Sequence, residues 1–500
     1  MATPEQESKR LSRYLNWIDG QACEAASGEW ISSDDPSRGE VWAEVPAGDA
    51  ADIERAVEAA RRAFRADAPW RRLDAAGRAR LLRRLATLVE ERIEPLARIE
   101  TRDNGKVIRE TRPEVQSVAA MFHYWAGAAD KIQGDTIAVG PDSFNYTLPC
   151  PLGVVGAVLP WNAPLSLMAA KVGAILAAGN TVVVKPAEQA ACSTLYFAPL
   201  FEEAGFPPGV VNIVAGLGPT AGDALVRHPD VSKITFTGET ATAKTITRQS
   251  AETLKRLSFE LGGKSPNIVF ADADLDAAAR GVLSAVYTGN AGQTCICGSR
   301  TLIERSVYDS FLARVEEVTR EIRLGDPLDP NTGMGPLAFD AQFAKVKRYL
   351  EIGQKEGADL AFGGQFGAAL FESDSPFSGG YFVAPTMFRD VNNGMRIARE
   401  EIFGPVSAAI PFDDEEEAVA IANDTPYGLA AGVWTQNLSR GHRMVAAIDA
   451  GMIWLNNYRR IHWSVPFGGF KQSGYGRDSG LESLRGYQQT KSVWLDLAND

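Results

Sequence analysis

The segment Thr181-Val182-Val183-Val184-Lys185-Pro186-Ala187-Glu188 decides the fold. β-Branched residues follow one another without alternation and stop at a lysine and a proline, the pattern of a strand buried on both faces by helices. Upstream, Val154 to Leu159 reads as another apolar strand and Pro164 to Ala178 as a helix. Downstream, the helical stretch Cys192 to Ala204 leads to a strand at Val210 to Val214 and a helix at Pro219 to Arg227. A strand at Lys233 to Thr237 and a helix at Glu239 to Ala251 follow. Strands alternating with helices predict a parallel, helix-covered sheet of the nucleotide-binding kind.

A second α/β region runs from Lys264 to about Phe470, with strands at Asn267 to Phe270 and Thr301 to Ile303 and an apolar helical run from near Leu275. Ahead of both, Trp17-Ile18-Asp19-Gly20 reads as a hairpin, Asp49 and Asp74 as helix caps, and roughly Glu114 to Lys131 as a third helix. Ser143 to Val155 is strand-like but broken by prolines. Ser492 to Leu497 alternates like an edge strand and is expected to pair, another subunit being one partner.

A chain of 500 residues exceeds a single core, so two or three domains are expected. Its net charge of −12 argues against nucleic-acid and anionic-membrane partners. No apolar run reaches membrane-spanning length, and Met1 to Arg13 is too polar for a secretory signal. The five cysteines are scattered and odd in number, which points to a reducing, cytoplasmic setting. Cys295 and Cys297 have no second cluster or histidine at zinc spacing, so no metal is expected.

Chemistry gathers at the ends of the expected strands, where open α/β sheets bind ligands. In Gly289-Asn290-Ala291-Gly292-Gln293-Thr294-Cys295-Ile296-Cys297-Gly298, a thiol stands among glycines and small polar residues, as a nucleophile requires. Leu159-Pro160-Trp161-Asn162 offers a side-chain amide for a developing oxyanion. Lys185 and Glu188 suit ribose hydroxyls, and Gly238-Glu239 opens a helix whose N-terminus suits a pyrophosphate. Glu260, followed by Leu261-Gly262-Gly263, is placed as a general base acting through water. Glu401 and Phe403 add a carboxylate beside an aromatic ring. Singly, each has an ordinary structural explanation: a turn former, a surface charge, a salt-bridge member, a core thiol.

In this order the segments resemble the aldehyde dehydrogenase superfamily, from about Trp17 to Trp494. Phe259-Glu260-Leu261-Gly262-Gly263-Lys264-Ser265-Pro266 and Gly292-Gln293-Thr294-Cys295 are its most diagnostic motifs, with Pro466-Phe467-Gly468-Gly469-Phe470-Lys471-Gln472-Ser473-Gly474 close behind. The resemblance implies an α/β fold of two Rossmann-related domains with parallel sheets and a small β oligomerisation arm. The cofactor-binding domain would comprise 1–132 and 152–262, the catalytic domain 263–472, and the arm 133–151 and 480–500. It implies Cys295 as nucleophile, Glu260 as general base, and Asn162 with the Cys295 N–H as oxyanion hole. Lys185 and Glu188 would hold the adenosine ribose and Glu401 with Phe403 the nicotinamide ribose. Trp161, Gly238, Glu239 and Leu261 would line the cofactor cleft. NAD is favoured over NADP, because Glu188 would repel a 2′-phosphate. Glu239 and Ala243 stand where many members have serine and glycine.

For the substrate, Leu167 is expected along the tunnel, with Trp463 and Phe467 as an apolar wall. Arg459 or Arg460 would meet a substrate anion, or else form a surface or interface ion pair. The expected activity is NAD-dependent oxidation of a small-molecule aldehyde to the acid by a homodimer or homotetramer. A CoA-acylating dehydrogenase, a cysteine hydrolase and a catalytically retired binding protein of the same fold are the alternatives.

Overall fold

A computed structural model describes residues 11–498. The polar N-terminus up to Arg10 and the last two residues of the expected arm lie outside them. The Val-rich strand Thr181–Lys185 lies inside an eight-stranded sheet. Its parallel neighbours are Val154–Val158 and Val211–Ile213, and beyond Val154–Val158 come Val231–Thr237 and Arg256–Glu260, also parallel. Antiparallel strands close both edges. On one side the hairpin Asn16–Ile18 and Gln21–Cys23 turns through Asp19 and Gly20, both left-handed. On the other, Gly474–Tyr475 pairs with Arg256–Glu260. Each interior strand is buried on both faces, which explains the absence of alternation.

Helices cover this sheet. Ala50–Phe64 starts at Asp49 in a capping box, and Ala75–Glu90 starts where the Asp74 side chain accepts the Gly77 N–H at 2.7 Å. Ile93–Asn104 was not apparent in the sequence. The third helix begins earlier than its periodicity predicts, at Ile108, and runs to Ala128 through Pro113. The stretch expected as one helix from Cys192 to Ala204 is two, Cys192–Phe197 and Pro199–Glu203, because Pro199 starts a new first turn.

The second sheet has seven strands in the order Asp359–Phe362, Thr386–Arg389, Val406–Phe412, Arg300–Glu304, Pro266–Val269, Ala430–Trp434, Met452–Leu455. All pairings are parallel except that of the edge strand Asp359–Phe362. The two large sheets are therefore parallel at their centres and mixed at their edges.

A three-stranded sheet joins the two segments expected as an arm. Gln488–Asp496 pairs antiparallel with Ser143–Pro151 along its whole length, so this C-terminal strand finds its partner within the chain. Ser143–Pro151 is continuous, not broken. Its other side meets Thr136–Ile137 only at Tyr146 and Asn145, so Pro149 and Pro151 withhold their missing N–H from an open edge. Trp494, Leu148, Leu495 and Phe144 are exposed on this sheet. Among the described residues, no helix is long and apolar enough to cross a membrane.

Candidate active site

Four parallel strands of the first sheet end level with one another. Val158 is in register with Phe236 and with Lys185, and Thr237 with Glu260. The chain therefore delivers Trp161-Asn162, Lys185, Gly238-Glu239 and Glu260 to one rim. The region of the second sheet brings Cys295 from the loop after the helix Leu275–Val282, and Glu401 with Phe403 from the turn before Val406–Phe412. Between them lies a cleft of about 620 Å³. Trp161, Asn162, Leu167, Gly238, Glu239, Glu260, Leu261, Cys295, Glu401 and Phe403 all line it.

The helix from Leu275 ends at Val282, and a π turn at Leu283–Tyr287 winds it down into the Cys295 loop. Cys295 is partly exposed to the cleft, while Cys297 is buried in the core around the second sheet. Burial pushes the Cys295 thiol up to about 12, and the carboxylates of Glu401 and Glu260 add to the rise. Asn162 Nδ2 donates to the Gln293 carbonyl at 3.0 Å, which fixes the amide beside the loop that carries Cys295.

Glu260 is buried, and its Oε2 has no protein partner. Burial raises its pKa well above the ordinary carboxylate value; Asp478 adds to the rise and Lys171 opposes it. Such a carboxyl is a proton acceptor only weakly hydrated, which suits a base handling one water. Gly468 lets it sit there: a Cβ at that position, where φ is +154°, would stand 2.8 Å from Glu260 Oε1.

Glu401 Oε1 accepts the Gly263 N–H at 3.0 Å, and burial pushes the carboxyl up to about 7. Gly262 is required for this approach, since a Cβ there would stand 2.2 Å from Glu401 Oε2. Phe403 adopts φ +61°, a strained value for an aromatic residue. Buried Gln342 holds it by donating to the Ile402 and Phe403 carbonyls at 3.0 and 2.7 Å. Phe403 then packs edge-on against Trp161, their centroids 5.2 Å apart.

The remaining expected residues fall elsewhere. Lys185 Nζ bonds Glu188 Oε2 at 2.7 Å, at the end of the strand beside Val154–Val158 and outside the central lining. Phe467 pairs through its backbone with Asp478 and packs on the second core. Trp463 stacks on His462, their centroids 4.1 Å apart. Neither ring lines the cleft. Arg459 Nη1 donates to the Ser284 carbonyl at 3.1 Å, and Arg459 is not among the residues that line the cleft. Arg460 is exposed, and its carbonyl accepts from Trp454 Nε1.

The sequence reading missed Gln342, Lys345, Arg348 and Tyr349, which form the opposite wall of the cleft from the helix Asp340–Lys355. It also missed Lys171 and Asp478, although a lone lysine in the apolar helix Pro164–Ala177 needs a buried partner and was a readable signal.

A cleft between two sheets that are parallel at their centres, lined by a thiol, a side-chain amide and a buried carboxyl, belongs to an enzyme of the doubly wound α/β class. A model of the aldehyde dehydrogenase family matches residues 23–493. The human mitochondrial aldehyde dehydrogenase is 44% identical over 99% of this chain and 94% of its own. An aldehyde dehydrogenase of Enchytraeus buchholzi is 44% identical over 96% of this chain and 95% of its own. Among solved structures, an NAD+ complex of an aldehyde dehydrogenase from Bacillus cereus superposes with a TM-score of 0.94 at 43% identity, covering 99% of both chains. The chain belongs to the aldehyde dehydrogenase family.

Proposed function

We propose that this chain oxidises a small-molecule aldehyde to its carboxylic acid with NAD, Cys295 being the nucleophile. The carrying observation is the convergence of Cys295, Asn162 and Glu260 on one cleft. The residues present fit a dinucleotide. The helix Thr240–Ser250 opens on Glu239, whose side chain makes no capping bond, so backbone N–H groups at its start are free for a pyrophosphate. Lys345 and Arg348 face the same space with positive charge. Lys185 and Glu188 would hold the adenosine ribose, Glu401 and Phe403 the nicotinamide ribose, and Trp161, Gly238 and Leu261 the walls. A carboxylate at Glu188 favours NAD over NADP. Bound there, the nicotinamide supplies a hydride acceptor.

Cys295 Sγ, once deprotonated, attacks the aldehyde carbon. Asn162 Nδ2 and the Cys295 N–H stabilise the oxyanion of the resulting hemithioacetal. Loss of hydride leaves a thioester on Cys295. Glu260 takes a proton from water as that water attacks the thioester, and the acid leaves with Cys295 regenerated. Hydrolysis is favoured over acyl transfer to CoA because Glu260 stands poised in the cleft. Leu167, the one expected substrate residue that lines the cleft, would contact the aldehyde chain.

The exposed apolar residues of the arm sheet support a homodimer or homotetramer assembled through Ser143–Pro151 and Gln488–Asp496. Five free cysteines support a reducing, cytoplasmic location. The test is NADH formation across aliphatic, aromatic, carboxylated and cationic aldehydes, run beside NADP, added CoA and a Cys295→Ala control. Turnover that needs NAD and Cys295 but not CoA supports the reading.

A further inference from the structure

We propose that Glu110 and Arg459 are positioning residues that hold the oxyanion amide of Asn162 in place by clamping Asn290. The inference rests on the proposed role of Asn162.

Asn290 and Ala291 are consecutive non-glycine residues at φ 52° and 51°. Two successive left-handed residues are costly and persist only where the surroundings hold them. Asn290 is held at three points. Its Nδ2 donates to the Asn162 carbonyl at 3.0 Å and to the Gln293 carbonyl at 3.2 Å. Its backbone N–H donates to Glu110 Oε2 at 2.9 Å. The Gln293 carbonyl also receives Asn162 Nδ2, so backbone and side chain of Asn162 are both fixed through the Asn290–Gln293 turn.

Glu110 comes from another part of the chain, the first turn of the helix Ile108–Ala128. Burial pushes its carboxyl up to about 7, while Arg459 and Lys106 favour the charged form. Arg459 meets the same loop through contacts of its own. It stands at φ 63°, with its guanidinium against Gly289: a Cβ there would lie 1.7 Å from Arg459 Nη1. That nitrogen also donates to the Ser284 carbonyl, in the π turn that ends the preceding helix. The catalytic loop is thus clamped on both sides of the Gly289–Asn290 peptide. Without the clamp the left-handed pair can relax, and a displacement of about 1 Å in a reacting group costs on the order of 100-fold in rate.

The experiment is a double-mutant cycle on kcat/KM with the best aldehyde of the panel, using Asn162→Ala, Glu110→Ala and the combination. Asn162→Ala should fall by about two to three orders of magnitude. Glu110→Ala should fall on the order of 10- to 100-fold in kcat with an unchanged KM for NAD, and add nothing in the combination. Glu110→Gln, which keeps an acceptor for the Asn290 N–H, should retain most of the activity. Glu110→Asp, one methylene short, should fall with the alanine variant and serves if that variant does not fold. Arg459→Ala should lower kcat by the same factor for neutral and carboxylated aldehydes. Multiplying losses in the combination, full activity in Glu110→Asp, or an Arg459→Ala loss confined to carboxylated aldehydes would overturn the inference. Full activity in Asn162→Ala would instead overturn the oxyanion role on which it stands.

Discussion

Lys171 Nζ lies 2.6 Å from Asp478 Oδ2, and both side chains are almost wholly buried behind Glu260. Lys171 also donates to Thr235 Oγ1 at 3.0 Å. The pair has opposite effects on Glu260, Asp478 raising its pKa and Lys171 lowering it.

Base catalysis by Glu260 requires its charged form, so thioester hydrolysis should rise with pH through its elevated pKa. Asp478→Asn removes a charge that raises this pKa and should move the rising limb to lower pH. Single-turnover acid release measured across pH 6 to about 10 checks the direction. A limb unmoved, or moved upward, contradicts the assignment.

Lys171→Met should destabilise the fold, because it leaves Asp478 as a buried carboxylate without its cation. Breaking a buried pair in this way costs about 3–5 kcal/mol. Thermal unfolding of parent and variant measures it, and Lys171→Met combined with Asp478→Leu should recover most of the loss.

Cys295 should titrate far above neutrality in the free enzyme. Below a pKa of about 12 the thiolate fraction grows about tenfold per pH unit, so alkylation by iodoacetamide should climb from pH 6 to about 9 without a plateau. Glu401→Gln should speed the reaction only above about pH 7, where the parent carboxyl is charged and raises the thiol.

Gly262→Ala should damage cofactor binding. Its Cβ would displace Glu401 and break the bond from the Gly263 N–H. A hydrogen bond to a charged group contributes about 1.5–3 kcal/mol, so the KM for NAD should rise at least about tenfold. Steady-state kinetics with NAD varied is the measurement.

The arm is tested by charge. Trp494, 64% exposed near the end of the strand Gln488–Asp496, should be covered in an assembly. Trp494→Glu should yield smaller species than the parent in light scattering.

The sequence made the parallel strands legible because both their faces are buried, which leaves uninterrupted β-branched runs. Glu260 and Gly238 were legible because one ends a strand and the other follows one, and Cys295 because it stands among glycines, whereas the wall from the helix Asp340–Lys355 carries no such mark. The helix Ile93–Asn104 escaped notice among charged neighbours, with only Leu96 and Ala97 as buried apolar residues. Ser143–Pro151 was misread because proline is excluded only from strands paired on both sides. Arg459 shows the sharper limit. A guanidinium near a cleft reads as a ligand for substrate, whereas here it donates to the Ser284 carbonyl and its charge acts on Glu110. Nothing local to residues 456–463 announces Glu110, which lies more than 300 positions earlier.

The most direct measurement is aldehyde-dependent NADH formation by the parent and by Cys295→Ala, with NAD binding followed in parallel by calorimetry. The account predicts turnover in the parent, none in the variant, and the same NAD affinity in both. Turnover that survives the loss of the Cys295 thiol would contradict it.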